Sequence, residues 1–210
     1  MDVLAPHALP PGPVRSAQLL RRTRAEWLDG GQDLWLFAYG SLIWRPDFDY
    51  TEARAARVQG YHRGLCMRSR VNRGSPEQPG LVLALTPGGS CRGLVYRVPR
   101  AAGDAVLSQL WEREMPNGVY EPRWLRCEGT QPGQPVRALA FTLSRRSPNW
   151  TGRLQDAELL HIFAHARGRY GTTLDYLLRT VHSLREHGIH DTELERQARL
   201  AARNGLCAPP

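Results

Sequence analysis

The sequence contains no lysine, only four cysteines and no long apolar segment. All 28 basic residues are arginines, and against 20 acidic residues they give a formal net charge of +8. A transmembrane helix needs about 20 consecutive apolar residues, and no run of roughly that length occurs. The first residues also lack the basic start and the apolar stretch of a secretory signal peptide. The sequence therefore predicts a cytoplasmic protein with no membrane partner.

The cysteines are too scattered to form a zinc module or a disulfide framework. They stand at four separate places in the chain: Cys66, Cys91, Cys127 and Cys207. His161 and His165 have the i, i+4 spacing that can place two ligands on one helix face, but no third ligand is evident. We therefore predict free thiols in a reducing compartment and no bound metal.

The excess of arginine favours an anionic partner, which could be a nucleic acid, an acidic membrane or an acidic metabolite. A GC-rich genome can also produce this bias, so the charge alone does not define a function. Aromatic residues make up 8% of the chain and do not alternate with arginines as in RNA-binding proteins. No nucleotide-binding glycine motif and no serine-hydrolase motif occurs. We predict no nucleic-acid partner, and a basic nucleic-acid-binding or regulatory protein remains a remote alternative.

Apolar patterns predict strands in the middle of the chain and helices towards its end. The predicted strands cover residues 34–38, 55–58, 61–68, 81–85, 93–98, 123–127 and 136–143. The predicted helices cover residues 16–27, 105–115, 154–167, 172–186 and 191–203. Residues 1–14 are proline-rich and predicted to be disordered, and residues 87–89 are predicted to form a turn. Strands followed by segregated helices indicate an α+β fold.

Glu114 falls on the apolar face of the helix predicted over 105–115. It shares an i, i+3, i+4, i+7 stripe with Leu107, Leu110 and Trp111, whereas Glu112 and Arg113 are expected to point away. A buried carboxylate has a raised pKa, as a general acid or base at neutral pH requires. The alternative is a structural glutamate that satisfies a strand end or an arginine.

Two loops are further candidates for ligand binding. The predicted strand over 34–38 breaks at Tyr39-Gly40-Ser41-Leu42, where exposed N–H groups could hold a carboxylate or an oxyanion. The alternative there is an ordinary turn. A second loop contains Arg68, Arg70 and Arg73, which could pair with a substrate carboxylate or could be solvated surface.

Seven short motifs follow one another along most of the chain. They are residues 35–48 (WLFAYGSLIWRPDF), 58–63 (VQGYHR), 73–74 (RG), 78–80 (QPG), 93–98 (GLVYRV), 110–115 (LWEREM) and 118–120 (GVY). In this order they resemble the ChaC-type γ-glutamylcyclotransferases, and the resemblance spans roughly residues 33–205. The family commonly has glycine where this chain has Ala38, and some members have histidine where it has Asn72.

The resemblance implies a small closed or nearly closed mixed β-barrel, packed with helices and followed by a helical C-terminal third. Residues 1–32 would then be an N-terminal extension with a possible helix, and residues 33–210 the γ-glutamylcyclotransferase domain. The family cleaves glutathione into 5-oxoproline and Cys-Gly without a cofactor or a metal. By resemblance Glu114 is the proton acceptor, and Arg73 and Tyr120 are candidates for holding the Cys-Gly half. The substrate-binding residues carried over are Ala38, Tyr39, Gly40, Ser41, Leu42 and Ile43.

This chemistry needs no nucleophilic side chain. The α-amine of a γ-glutamyl amide can attack its own side-chain carbonyl and close a five-membered lactam, so the protein has to fold the substrate and move protons. The leading prediction is a glutathione-specific γ-glutamylcyclotransferase. The alternative within the same chemistry is a cyclotransferase for another γ-glutamyl amide or peptide. The sequence predicts no oligomeric state.

Overall fold

The computed structural model describes residues 12–129 and 135–208. Its helices are α1 (Gly12–Asp29), α2 (Arg100–Glu114), α3 (Asp156–His165), α4 (Thr173–Glu186) and α5 (Thr192–Arg203). Its strands are β1 (Leu34–Ala38), β2 (Glu52–Ser69), β3 (Gly80–Val98), β4 (Glu121–Gly129), β5 (Val136–Thr142), β6 (Arg167–Gly168) and β7 (Gly171–Thr172). The disorder predicted for residues 1–14 falls largely on residues 1–11, outside the described residues, and residues 12–14 are helical instead.

Five strands form a closed barrel in the order β1-β3-β2-β4-β5. Neighbours in this order run antiparallel, and β5 closes the barrel by parallel pairing with both β1 and β3. The closing pairs are Leu36 with Leu139 and Leu85 with Thr142. The α+β class and the small mixed barrel predicted from the sequence are confirmed.

The prediction of four separate strands between residues 55 and 98 is wrong, because β2 and β3 are two long continuous strands. The predicted turn at 87–89 lies inside β3, where Gly88 and Gly89 adopt φ values of 107° and 68°. Opposite them, Gly60 has a φ of 79° and the register between β2 and β3 shifts by one residue. Glycine tolerates this left-handed backbone, so the chain forms a bulge and bends without ending the strand.

Helix α1 packs against α2 at its two ends. The Trp27 ring lies over Gly103, where a Cβ would come within 2.4 Å of it, so only glycine fits there. At the other end Ser16 donates a hydrogen bond to the Met115 carbonyl at 2.5 Å, and the Trp111 indole donates to the Ser16 carbonyl at 3.0 Å. The described part of the predicted N-terminal extension therefore supports the helix that carries Glu114.

Within the described residues, no helix combines the length and the apolar character that crossing a membrane requires.

Candidate active site

A cavity of about 670 Å³ opens at one end of the barrel. Its wall is formed by the turn after β1, the C-terminal end of α2, the loop after β2 and the segment between β6 and β7. The volume falls in the range of roughly 300–1,000 Å³ that is usual for small-molecule sites. The cavity therefore unites the two loops and the helix end that the sequence singles out.

The turn after β1 is a tight helical turn. The Ile43 N–H donates to the Gly40 carbonyl at 2.9 Å, and the Arg45 N–H donates to the Ser41 carbonyl at 2.8 Å. The first N–H groups of such a turn have no partner within it. The Ser41 N–H bonds to the Tyr176 hydroxyl, and residues 40–42 line the cavity wall. A Cβ on Gly40 would lie 3.0 Å from the Tyr176 hydroxyl, so glycine lets the turn approach that side chain closely.

The substrate-binding residues carried over by resemblance divide into two groups. Tyr39, Gly40, Ser41 and Leu42 line the cavity. Ala38 and Ile43 are buried in the core, with 0% and 5% of their surface exposed, and lie outside the lining. These two residues support the turn, and their side chains do not reach the cavity.

Glu114 is the last residue of α2 and faces the cavity. Leu107, Leu110 and Trp111 on the same stripe are buried, as the helical periodicity predicts. Glu114 itself keeps 19% of its side chain accessible. Burial raises its pKa, and the neighbouring Arg113 partly opposes that rise. The carbonyl end of a helix also disfavours a negative charge, so the site holds a carboxylate of increased proton affinity.

The expectation that Arg113 points away from the site is wrong. Its Nε lies 3.1 Å from Glu114 Oε1, and one terminal nitrogen donates to Ser41 Oγ at 3.1 Å. An arginine side chain is long enough to fold back from a neighbouring helical position, so the direction of its Cα–Cβ bond did not decide where the guanidinium lies. Glu112 also lines the cavity, although it is largely exposed.

Three buried tyrosines surround Glu114. Tyr39 donates to the Phe141 carbonyl at 2.7 Å, Tyr120 donates to the Leu83 carbonyl at 3.2 Å, and the Tyr176 hydroxyl accepts from the Leu83 N–H at 3.4 Å. Burial raises the pKa of all three phenols, that of Tyr176 to about 12, and Glu114 adds to each rise. They are therefore neutral hydroxyls at physiological pH. Sequence reasoning missed Tyr176, because on α4 it has the spacing of an ordinary core residue.

Arg73 is a buried cation that lies over the Tyr176 ring. It is 7% exposed, and its guanidinium carbon lies 5.1 Å from the centroid of the Tyr176 ring. Within the described part of the chain its side-chain hydrogen bonds go to the carbonyls of Tyr170 and Thr172 and to no carboxylate. Burial lowers the pKa of the Arg73 guanidinium, and the nearby Asp175 carboxylate only partly opposes this. Arg73 can therefore accept a further anion from the cavity.

The cavity is cationic as a whole. Six arginines and two glutamates line it: Arg45, Arg68, Arg70, Arg73, Arg113, Arg169, Glu112 and Glu114. Such a lining raises the local concentration of acidic ligands and fits a substrate with more than one carboxylate.

No group of three or more metal-ligating side chains of the histidine, cysteine, aspartate and glutamate types comes together in residues 12–129 or 135–208. His161 and His165 stack on α3 with ring centroids 4.5 Å apart, and the His165 ring bonds to the His161 carbonyl.

The fold of this chain is similar to that of a solved enzyme structure. The crystal structure of a yeast gamma-glutamyl cyclotransferase specific to glutathione superimposes with a TM-score of 0.73 at 20% identity, covering 82% of this chain and 96% of that one. The barrel with its packed helices is thus a γ-glutamylcyclotransferase fold.

Sequence relatives narrow the class to one family. The glutathione-specific gamma-glutamylcyclotransferase of Escherichia coli is 35% identical over 161 residues, which is 77% of this chain and 69% of the relative. The human glutathione-specific gamma-glutamylcyclotransferase 1 is 34% identical over 171 residues, covering 80% and 74%. The family model for ChaC-like proteins matches residues 34–202. The chain belongs to the ChaC-like family, and the resemblance noted in the sequence is confirmed.

Proposed function

We propose that this protein is a glutathione-specific γ-glutamylcyclotransferase that releases 5-oxoproline and Cys-Gly. The observation that carries the proposal is that Glu114 and the turn at residues 39–42 line the same cationic cavity. A carboxylate of raised proton affinity and a set of backbone donors are the two components that the reaction needs. The names of the E. coli and human relatives support glutathione as the substrate.

The reaction is an intramolecular acyl transfer. The α-amine nitrogen of the γ-glutamyl group attacks its own side-chain carbonyl carbon, which forms a ring and places negative charge on the carbonyl oxygen. The bond from that carbon to the cysteine nitrogen then breaks, which restores the carbonyl and releases Cys-Gly. Because the nucleophile is tethered to its target, holding the chain in a near-attack shape removes a large part of the barrier.

Glu114 moves the proton that this exchange requires. It takes a proton from the attacking nitrogen and returns it to the leaving cysteine nitrogen, so that no proton is gained or lost overall. A carboxylate with an ordinary pKa would accept the proton weakly. Burial at the end of α2 raises the pKa of Glu114 and so strengthens its affinity for the proton. The three surrounding phenols stay protonated and do not compete for the proton.

The turn at residues 40–42 and Arg73 would hold the substrate at its two ends. The turn N–H groups face the developing oxyanion or the α-carboxylate of the γ-glutamyl group. Arg73 lies against the Tyr176 ring, and its guanidinium, which bonds to two carbonyls, suits the glycine carboxylate of the Cys-Gly half. The substrate would span the cavity past Tyr176, with the reacting carbonyl near Glu114.

The proposal is tested by incubating the purified chain with glutathione and measuring 5-oxoproline and Cys-Gly. We expect Glu114→Gln to lower turnover by at least about 100-fold, because the amide keeps the shape but cannot carry the proton. Glu158→Gln, an exposed change on α3, is the matched control and should retain activity.

Two results would contradict the proposal. Near-normal turnover by folded Glu114→Gln protein would show that Glu114 does not carry the proton. Failure to form a lactam from any γ-glutamyl compound would show that the protein is not a γ-glutamylcyclotransferase. A panel with γ-glutamyl amino acids, oxidised glutathione and a glutathione analogue amidated at glycine settles the specificity. Preference for another γ-glutamyl amide would support the alternative predicted from the sequence.

We also propose a small-molecule substrate and a cytoplasmic location. All four cysteines are free, and three of them are buried, which suits a reducing compartment. Thiol-reactive labelling of the chain in intact cells would test the location. Cysteines that persist as disulfides would contradict a reducing compartment.

A further inference from the structure

The segment that follows the substrate-binding turn is held against α2 by two side chains one helical turn apart. Gln109 donates to the Asp47 carbonyl at 2.5 Å, and Arg113 donates to the Asp47 carboxylate at 2.9 Å and to the Arg45 carbonyl at 2.6 Å. Arg45 lies on the other side of Asp47, with its Nε 2.8 Å from the same carboxylate oxygen.

Asp47 adopts a strained backbone conformation. Its φ of 57° makes it the sole non-glycine residue with positive φ within 12–129 and 135–208. Aspartate tolerates this conformation better than most non-glycine residues, and the conformation persists where surrounding contacts hold it. The contacts from Gln109 and Arg113 hold Asp47 in this conformation and direct its carboxylate towards α2.

The Arg113 guanidinium joins this segment to the reacting centre. One planar group contacts Asp47 Oδ2 at 2.9 Å, Ser41 Oγ at 3.1 Å and Glu114 Oε1 at 3.1 Å. Arginine can serve several acceptors at once because it carries five N–H donors in one plane, and lysine cannot reproduce that geometry. The side chain is 24% exposed, so the network is partly shielded from water.

We propose that Arg113, itself fixed by Asp47, is a positioning residue that orients the Glu114 carboxylate against the substrate-binding turn. This inference rests on the proposed function. By engaging Oε1, Arg113 leaves Oε2 as the oxygen that exchanges a proton with the substrate nitrogens. By holding Ser41 as well, it couples the position of the proton acceptor to the position of the turn that binds the substrate.

Arg113 is also the charged group that faces Glu114. The other groups around it are Tyr39 at the end of β1, Tyr120 before β4 and Tyr176 on α4, all neutral phenols. A nearby cation favours the ionised carboxylate, in opposition to burial. Loss of the cation therefore has a signature in the pH profile that a purely structural role would not produce.

The first test is the pH dependence of kcat/KM for lactam formation from glutathione. The acidic limb reports the pKa of the free enzyme's essential base. We expect Arg113→Gln to move this limb upwards by roughly one pH unit, the effect of removing a neighbouring cation. Arg113→Lys keeps the charge, so its limb should remain near that of the wild type while kcat falls about tenfold.

The second test is a double-mutant cycle. Asp47→Asn keeps a residue type that tolerates positive φ, but removes the charge that holds Arg113. We expect it to lower kcat with little change in KM, and to add no further loss in Arg113→Lys protein, because both changes break the same unit. Thermal unfolding of each variant establishes that it is folded, and the partly exposed Asp47 gives a folded variant even if Arg113→Gln does not.

Independent, multiplying losses in the cycle would overturn the inference, as would an unmoved acidic limb in folded Arg113→Gln protein. Those outcomes leave the proposed function standing if the wild type forms lactam. Absence of lactam from the wild type removes the proposed function itself, so the two failures are distinguishable.

Discussion

At the scale of single residues, the ionised Glu114 lowers the stability of the folded state. Its burial disfavours the ionised form, yet the proposed reaction needs that form to take a proton. The folded pKa is above the unfolded value near 4.5, so the folded chain binds this proton more tightly than the unfolded chain does. The stability due to this group is complete below about pH 4.5 and is lost as the pH rises through the raised pKa.

We expect Glu114→Gln to raise the melting temperature relative to the wild type at pH 8, because the amide carries no charge to desolvate. The difference should shrink as the pH falls towards 4, where the wild-type carboxyl is protonated. Scanning calorimetry across this range measures it, and each kcal/mol corresponds to about 2–4 °C for a chain of this size. A variant that is less stable than the wild type at pH 8 and equal at pH 4 would contradict the sign.

The residues of the site differ in how far the sequence predicts them. Helical periodicity places Glu114 on the buried stripe of α2, and a strand ending at Gly40-Ser41 marks the turn. Arg113 and Tyr176 escape such reasoning, because their positions depend on contacts with segments distant in the chain. The family resemblance extends the binding set to Ala38 and Ile43, but burial keeps their side chains out of the cavity.

At the scale of elements, a buried ion pair ties α5 and β2 to the start of the site. Arg63 on β2 has 2% of its side chain exposed and contacts the Asp191 carboxylate through two nitrogens at 2.9 Å. Its third nitrogen donates to the Tyr39 carbonyl at 2.8 Å. Asp191 also caps α5 by accepting from the Leu194 N–H at 3.1 Å. One guanidinium thus holds the residue from which the substrate-binding turn departs.

We expect Asp191→Asn to destabilise the fold by about 1–3 kcal/mol, because Arg63 loses its counter-charge while the helix cap is retained. The KM for glutathione should rise as well, since Tyr39 is held less firmly. Urea unfolding and steady-state kinetics measure the two effects. The control is Asp156→Asn, which removes an exposed partner of Arg196 and should cost no more than about 1 kcal/mol. Equal losses in the two variants would show that burial of Arg63 is irrelevant.

The elements themselves are mostly visible in the sequence. Helices α2 to α5 follow from apolar periodicity, and the start of β1 follows from a continuous apolar run. The two long strands are not predicted, because glycine and proline in the sequence indicate turns. In the structure Gly60, Gly88 and Gly89 supply the bend of a bulge within paired strands. Local signals cannot distinguish these outcomes, since the partner strand decides between them.

At the scale of the whole molecule, α1 contributes to the fold although it lies before the predicted catalytic domain. Trp27 is 5% exposed, and its ring and the Leu34 side chain of β1 both lie close to Gly103 of α2. Its indole donates to the Gln32 carbonyl at 3.1 Å. The helix therefore braces α2 from outside the barrel.

We expect Trp27→Ala to destabilise the protein by about 3–5 kcal/mol, because it leaves a cavity between α1 and α2. Leu28→Ala removes a neighbouring side chain that is 47% exposed and should change stability by no more than about 0.5 kcal/mol. Denaturant unfolding of both variants gives the comparison. A Trp27→Ala loss as small as that of the control would mean that α1 is attached loosely.

Closure of the barrel has a consequence for the order in which the molecule is assembled. The hairpins β2–β3 and β4–β5 join strands that are neighbours in the chain, whereas β1 meets β5 through the distant pair Leu36 and Leu139. Contacts between distant residues form late, because a long loop must be closed first. The Tyr39 hydroxyl bonds to the Phe141 carbonyl just beyond this seam, and both residues line the cavity. A nascent chain can thus hold most of its sheet while it is still without a site. The site is complete only when β5 closes the barrel and α4 brings Tyr176 to the cavity.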